Sequence, residues 1–272
     1  MKVDTMNLWG TIPGLCEETP QITAYIPDNK KGNGAVIIFS GGGYGARAAH
    51  EGEGYARFIA ENGITAFVVA YRVSPHRFPL PLLDARRAIK FVRYHSEKYG
   101  IDKDKIAVMG SSAGGHLTAL VSTYFDDVDC DVKQDEIEKE DFIPNAQILC
   151  YPVIRLLGKE IGHFGSGANL LGEKHATLGE DLQPDMIVSE KTPPAFIWHT
   201  FEDGAVPVEN TLMMASALRR AGVVTEVHIF PHGGHGLALA NPLTSMSPGQ
   251  NLPECAQWPE MAARFLRTML PV

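Results

Sequence analysis

Cysteine is scarce in this chain, with four (Cys16, Cys130, Cys150 and Cys255) among 272 residues. They lie far apart and in no metal-ligand spacing, which excludes a disulfide scaffold and a zinc knot and leaves reduced thiols of a cytoplasmic protein as the expectation. Runs of basic residues are missing, and 24 Lys and Arg stand against 32 Asp and Glu, a formal net charge of −8. That balance argues against nucleic acid and against an anionic membrane surface as partners. Long apolar runs are missing too. The longest, about eight residues from Ile64 to Tyr71, is far short of the ~18 that a spanning helix needs. Met1 to Thr5 hold neither an apolar run nor a small-residue cleavage site, so no signal peptide is expected. No repeat or linker divides the chain, and one domain over 1–272 is expected. Hydrophobic residues make up 44 %, enough for a sizeable core.

What is present alternates. Short β-branched or apolar runs at Ala35–Phe39, Thr65–Tyr71, Lys105–Met109, Ala146–Tyr151, Ala195–Thr200 and Thr225–Phe230 are separated by helical patterns. This is the signature of a largely parallel sheet with helices on both faces. Gln21–Ile26, bracketed by Pro20 and Pro27, is expected at an antiparallel edge. From Pro81 to Tyr99, Leu82, Ala85, Ile89 and Val92 recur at helical spacing, with Arg86, Lys90, Arg93 and Glu97 expected outward and Gly100 as the stop. Val208–Ala221 repeats the pattern with Leu212, Ala215 and Leu218 inward and Gly222 at its end, and a last helix is expected from Trp258 to Leu270. Two segments break the alternation. Residues 126–141 hold nine acidic side chains and two lysines without calcium-loop spacing, which reads as a solvated excursion. Residues 152–194 have no clear period and are expected to form a small lid insertion.

Chemistry concentrates in four loops, each directly after a strand. Gly110-Ser111-Ser112-Ala113-Gly114 follows Lys105–Met109 and precedes a helical run, the context in which a G-x-S-x-G turn presents its serine as a nucleophile. A serine at its ordinary pKa needs a base, and the base an orienting acid. The loop after Ala195–Thr200 offers Asp203, beside Gly204, with Glu202 as the fallback. The loop after Thr225–Phe230 offers His235 between glycines, while His232 reads as a structural neighbour. The other histidines are expected at the surface or as satisfied core residues, and no metal pairing is seen among them. Ser40-Gly41-Gly42-Gly43-Tyr44-Gly45, after Ala35–Phe39, can supply backbone donors to an oxyanion, each worth about 3 kcal/mol of barrier. The donors are assigned to Gly42, Gly43 and Ala113. A phosphate loop is excluded by the missing lysine signature.

These motifs, with Tyr71-Arg72-Val73-Ser74-Pro75 and Asp84-Ala85-Arg86-Arg87-Ala88, resemble the esterase/lipase group of α/β hydrolases near the hormone-sensitive-lipase-like enzymes. The closest likeness is to the bacterial acetyl-xylan-esterase and feruloyl-esterase-like family, over about Ala35 to Leu237. The resemblance implies an α/β-hydrolase fold with a mostly parallel sheet of about eight strands. It implies a Ser112–His235–Asp203 triad that hydrolyses short acyl esters, chiefly acetyl esters of a sugar or other neutral small molecule, without cofactor or metal. Arg72 and Asp84 match positions that are structural in that group. Two residues depart from the pattern: Ser40 stands where many relatives have histidine, and Ser111 where the lipase-like group has aspartate. A serine peptidase of the acyl-aminoacyl or dipeptidyl type and a non-catalytic hydrolase-fold binder are the alternatives. The expected partner is a small ester, and self-association is left open. Acyl selection is expected to rest with 152–194 and with the loop around Tyr44 and Arg47.

Overall fold

The computed structural model describes residues 1–14, 18–128 and 130–270. Cys16 and Asp129, included in the expectations above, lie outside the described residues. Cys130, Cys150 and Cys255 are free thiols.

The sheet is built from β1 (Lys2–Asn7), β2 (Gln21–Ile26), β3 (Ala35–Phe39), β4 (Thr65–Ala70), β5 (Ile106–Ser111), β6 (Ala146–Cys150), β7 (Ala195–Thr200) and β8 (Thr225–Phe230). Their spatial order is β1-β2-β4-β3-β5-β6-β7-β8. β1 and β2 pair antiparallel, as do β2 and β4, and the remaining neighbours are parallel. The helices are α1 (Ala49–Glu61), α2 (Leu80–Tyr94), α3 (Ser96–Tyr99), α4 (Ser112–Thr123), α5 (Phe164–Leu171), α6 (His175–Leu178), α7 (Glu209–Arg220) and α8 (Trp258–Met269).

Strand periodicity sorts the core into two layers. Ile37, Phe39, Ile106 and Val108 face α2 and α4, whereas Val36, Ile38, Ala107 and Met109 face α1 and α8. Every residue of β3, β5, β6 and β7 is buried, because helices cover both faces. That is why these strands read as continuous apolar runs rather than alternating ones. Among the described residues no helix is long and apolar enough to cross a membrane.

Several expectations are corrected. β2 is antiparallel but not the edge, since β1 lies outside it with alternating exposed residues. The run expected as one helix to Tyr99 breaks at His95, and Gly100 closes the short α3 in the left-handed conformation (φ 58°, ψ 45°). Arg86 and Arg93 are buried, and Lys90 is half-buried, because the backbone at Tyr124, Asp126, Glu138 and Ile143 folds back over them. Most described acids of the 126–141 segment are exposed, as expected, but Asp135 and Glu138 form an ionic strap onto this face. Arg87 bonds Asp135 at 2.7 Å and Glu138 at 2.8 Å, and Lys90 bonds Glu138 at 2.6 Å. On α7, Leu212 is exposed and Ala215 only half-buried. Asn210 and Thr211 turn inward instead, to bond the 154–155 backbone and His199, and so set the helix rotation.

Candidate active site

β3 and β5 are neighbours from which the chain departs in opposite directions, β3 to β4 on one side and β5 to β6 on the other. The crevice at the carboxyl ends of such a pair is where open α/β sheets place ligands. The loops after β3 and β5 carry Gly41–Gly43 and Ser112, and those after β7 and β8 bring Asp203 and His235 to the same edge.

Ser112 sits at the first position of α4 with φ +53°, a left-handed value that a non-glycine residue adopts only under constraint. The constraint is steric. A Cβ on Gly114 would penetrate Phe39 O, and one on Gly110 would penetrate Gly114 O, so strand and helix meet more closely than any side chain permits. The turn aims the hydroxyl at the loop after β8, where His235 Nε2 lies 2.8 Å from Ser112 Oγ. His235 Nδ1 lies 2.7 Å from Asp203 Oδ2. A carboxylate only accepts, so Nδ1 carries the proton and Nε2 is free to accept from the serine. The three expected side chains are thus brought into one hydrogen-bonded line.

Asp203 is held from both sides. Oδ1 accepts from Ala205 N (3.0 Å) and Val206 N (2.9 Å). Oδ2 also faces Nε2 of His199 at 3.2 Å. Burial alone would raise the carboxyl pKa, but hydrogen bonds from His199, His235 and the Val206 amide hold it well below the usual carboxylate range. Glu202 and His232, the fallback acid and the second loop histidine, pair with each other at the surface (3.0 Å), outside this line.

The glycine loop has one amide already engaged. Gly41 N donates to Glu51 Oε2 at 2.8 Å, while the N–H groups of Gly42 and Gly43 have no protein acceptor among the described residues. The Ala113 N–H, in the first turn of α4, has no intrahelical partner either. The positive φ of Gly42 (124°) and Gly43 (63°) shapes the turn. Around it, Tyr71 O–H donates to Ser40 O (2.6 Å), Asn169 Nδ2 to Gly43 O (2.9 Å) and Ser74 N to Tyr44 O (2.7 Å). Tyr44 O–H donates to His116 Nδ1 (2.8 Å), and His116 Nε2 donates to Leu182 O (2.8 Å). Burial holds the His116 pKa down to about 4, with the Leu182 bond opposing it, so the ring is a neutral spacer. Tyr44 is wholly buried, and Arg47 donates to Glu18 and to Tyr71 O. Within 152–194, α5 supports the loop through Asn169. Among the described residues, no group of three or more His, Cys, Asp or Glu side chains is placed to hold a metal ion.

Sequence reasoning missed His199 and Glu51. His199 lies on a buried strand four residues before Asp203, and no local signal separates it from an ordinary core histidine. Glu51 looks like an ordinary first-turn acid of a surface helix, yet it is buried.

Comparison with known proteins adds four likenesses. A family model described as BD-FAE matches residues 22–218. The chain is 36 % identical over 231 residues to endo-1,4-beta-xylanase B of Butyrivibrio fibrisolvens, covering 82 % of this chain and 35 % of that protein. It is 31 % identical over 222 residues to an acetylxylan esterase of Xylanibacter ruminicola, covering 79 % and 43 %. The chain thus spans less than half the length of either curated relative. A solved structure, the acetyl ester-xyloside bifunctional hydrolase from Caldicellulosiruptor lactoaceticus, is 44 % identical with a TM-score of 0.82 and is matched over 96 % of both chains.

Proposed function

The chain belongs to the BD-FAE family and has the α/β-hydrolase fold, and on that premise we propose that it is a serine carboxylesterase releasing short acyl groups, chiefly acetyl, from sugar esters. The observation that carries this reading is the unbroken line from Ser112 Oγ through His235 to Asp203, at 2.8 and 2.7 Å, beside backbone N–H groups left without acceptors.

In this mechanism Ser112 Oγ attacks the ester carbonyl carbon as His235 Nε2 takes its proton. Asp203 keeps the imidazole in the productive tautomer and stabilises its cation. The carbonyl electron pair moves onto oxygen, which receives the N–H groups of Gly42, Gly43 and Ala113. Collapse expels the sugar hydroxyl, protonated by His235, and leaves acyl-Ser112. Water, deprotonated by the same imidazole, then attacks the acyl carbon, and the acid departs as Ser112 recovers its proton.

The acetyl-sugar assignment draws support from the relatives named for acetylxylan and acetyl ester-xyloside hydrolysis. It also draws on Ser111, which stands where lipase-like enzymes have aspartate. Ser112→Ala is expected to lower kcat on p-nitrophenyl acetate about 10⁶-fold. On p-nitrophenyl esters of rising chain length, with an acetylated xylo-oligosaccharide, a feruloyl ester and an aminoacyl anilide alongside, kcat/KM should be highest for acetyl. Preference for acyl chains beyond about eight carbons would refute the acetyl-sugar substrate and leave the serine chemistry standing.

A further inference from the structure

Glu51 is 3 % exposed although it lies in the first turn of α1, where a carboxylate ordinarily meets water. Its two oxygens point to opposite halves of the site. Oε2 accepts from Gly41 N at 2.8 Å, and Oε1 accepts from Tyr151 O–H at 2.8 Å. His50 Nε2 stands 3.9 Å from Oε1. The Tyr151 oxygen accepts in turn from Ala238 N at 2.9 Å, three residues past His235, and the Tyr151 ring packs edge-on to the His235 ring at a centroid distance of 5.2 Å. Tyr55 O–H lies 3.3 Å from Tyr151 O–H and 2.9 Å from Ser111 Oγ, next to Ser112. One buried carboxylate therefore joins the glycine loop, the residue before the serine and the turn after the histidine.

The backbone is built to admit it. A Cβ on Gly41 would lie 2.5 Å from Glu51 Oε2, so only glycine lets the carboxylate seat against the amide. Tyr151 and Ala238, the residues that complete the chain of bonds, both hold left-handed backbone (φ 35° and 49°), as Ser112 does. Residues adopt such values when a network over-determines them.

We propose that Glu51 is a positioning residue for the hydrolysis: by occupying the Gly41 amide it turns the Gly42 and Gly43 N–H groups toward the oxyanion, and through Tyr151 it locks that loop in register with His235. The proposal rests on the esterase reading above. Its energetic logic is that of a rigid oxyanion site, in which donors are worth most when already aimed, and a shift of about 1 Å costs on the order of 10²-fold in rate.

Glu51→Gln is the direct test. Glutamine keeps a single acceptor oxygen and puts an NH2 donor in place of the other, so it cannot accept from Gly41 N–H and Tyr151 O–H together, and the Tyr151 hydroxyl must reverse its bond. For folded Glu51→Gln on p-nitrophenyl acetate, kcat is expected to fall about 10- to 100-fold with KM within about threefold. A second readout separates alignment from general damage. A short alkyl trifluoromethyl ketone forms an adduct with Ser112 whose oxygen occupies the oxyanion site, so its Ki should rise by the factor by which kcat/KM falls. Tyr151→Phe removes only the hydroxyl and should show the same parallel with a smaller loss. The proposal is overturned if folded Glu51→Gln retains kcat/KM within about twofold, or if kcat/KM falls while Ki holds. Should Glu51→Gln fail to fold, Tyr151→Phe decides by the same criteria. Substantial turnover by Ser112→Ala would instead sink the esterase reading, and this outcome is independent of Glu51.

Discussion

His199 and His235 share one oxygen of Asp203 and do different work there. His199 is wholly buried, its Nδ1 accepting from Thr211 O–H at 2.8 Å and its Nε2 directed at both Asp203 and Val206 O. It is held in one tautomer and serves as a fixed donor that keeps the carboxylate ionised and oriented. His235 is a quarter exposed at the side chain and meets Ser112. Position in the chain marked His235, because a loop between glycines after a strand is where a base belongs. Nothing local distinguished His199 from any core histidine, since its role exists only once β7 and α7 pack. His116 belongs to the same buried class and yields a measurable consequence. Unfolded, it binds a proton below its ordinary pKa of 6.5, and folded only below about 4, owing to burial. The unfolded state therefore binds more protons between these values, so stability falls as pH drops through that window, by about 3 kcal/mol in total. His116→Gln removes the titration. Urea unfolding should show the stability difference between wild type and variant shrinking by that amount from neutral pH to about pH 4; a constant difference would contradict the assignment.

At the scale of elements, burial of polar faces is what periodicity hides. Leu82, Ala85, Ile89 and Val92 are all buried on α2, as their spacing indicates. The opposite face is buried too, under the acidic strap, with Arg86 stacked 4.3 Å over Phe142. A charge run reads as solvated unless its counter-charges, here some fifty residues away along the chain, are known to fold onto it. Arg87 is the keystone, and its hydrogen bond lowers the Asp135 pKa to about 2. This contribution is present above the ordinary carboxylate pKa and is lost as pH falls through about 2. Arg87→Met leaves half-buried Glu138 to Lys90 alone and should destabilise the fold by about 1–2 kcal/mol in urea unfolding. Because the strap lies away from Ser112, kcat on p-nitrophenyl acetate should be unchanged; a large fall in kcat would show that the strap reaches the site. α1 went unrecognised for a related reason. Gly52 and Gly54 weaken its helical signal; a Cβ would lie 3.2 Å from Val68 Cγ1 at the first and 2.6 Å from Thr244 Cγ2 at the second. β1 was hidden by its exposure, since a strand with no buried face carries little apolar pattern.

Across the whole molecule, strand order decides which distant residues meet. Parallel strands deliver their following loops to a single edge, and the reversal between β3 and β5 is where open α/β sheets place their ligands. The serine, acid, histidine and glycine loop could be located from sequence because each immediately follows an apolar run. Their mutual distances could not, since these depend on sheet twist and on supports such as Glu51, Asn169 and His199 that carry no motif. Ser112, as the proposed activated nucleophile, is the group a fluorophosphonate probe should modify. Stoichiometric labelling followed by peptide mapping should place a single phosphonyl group on Ser112, with esterase activity lost in proportion to the label. An enzyme that stays active under excess probe, or carries the label on another residue, would contradict the account.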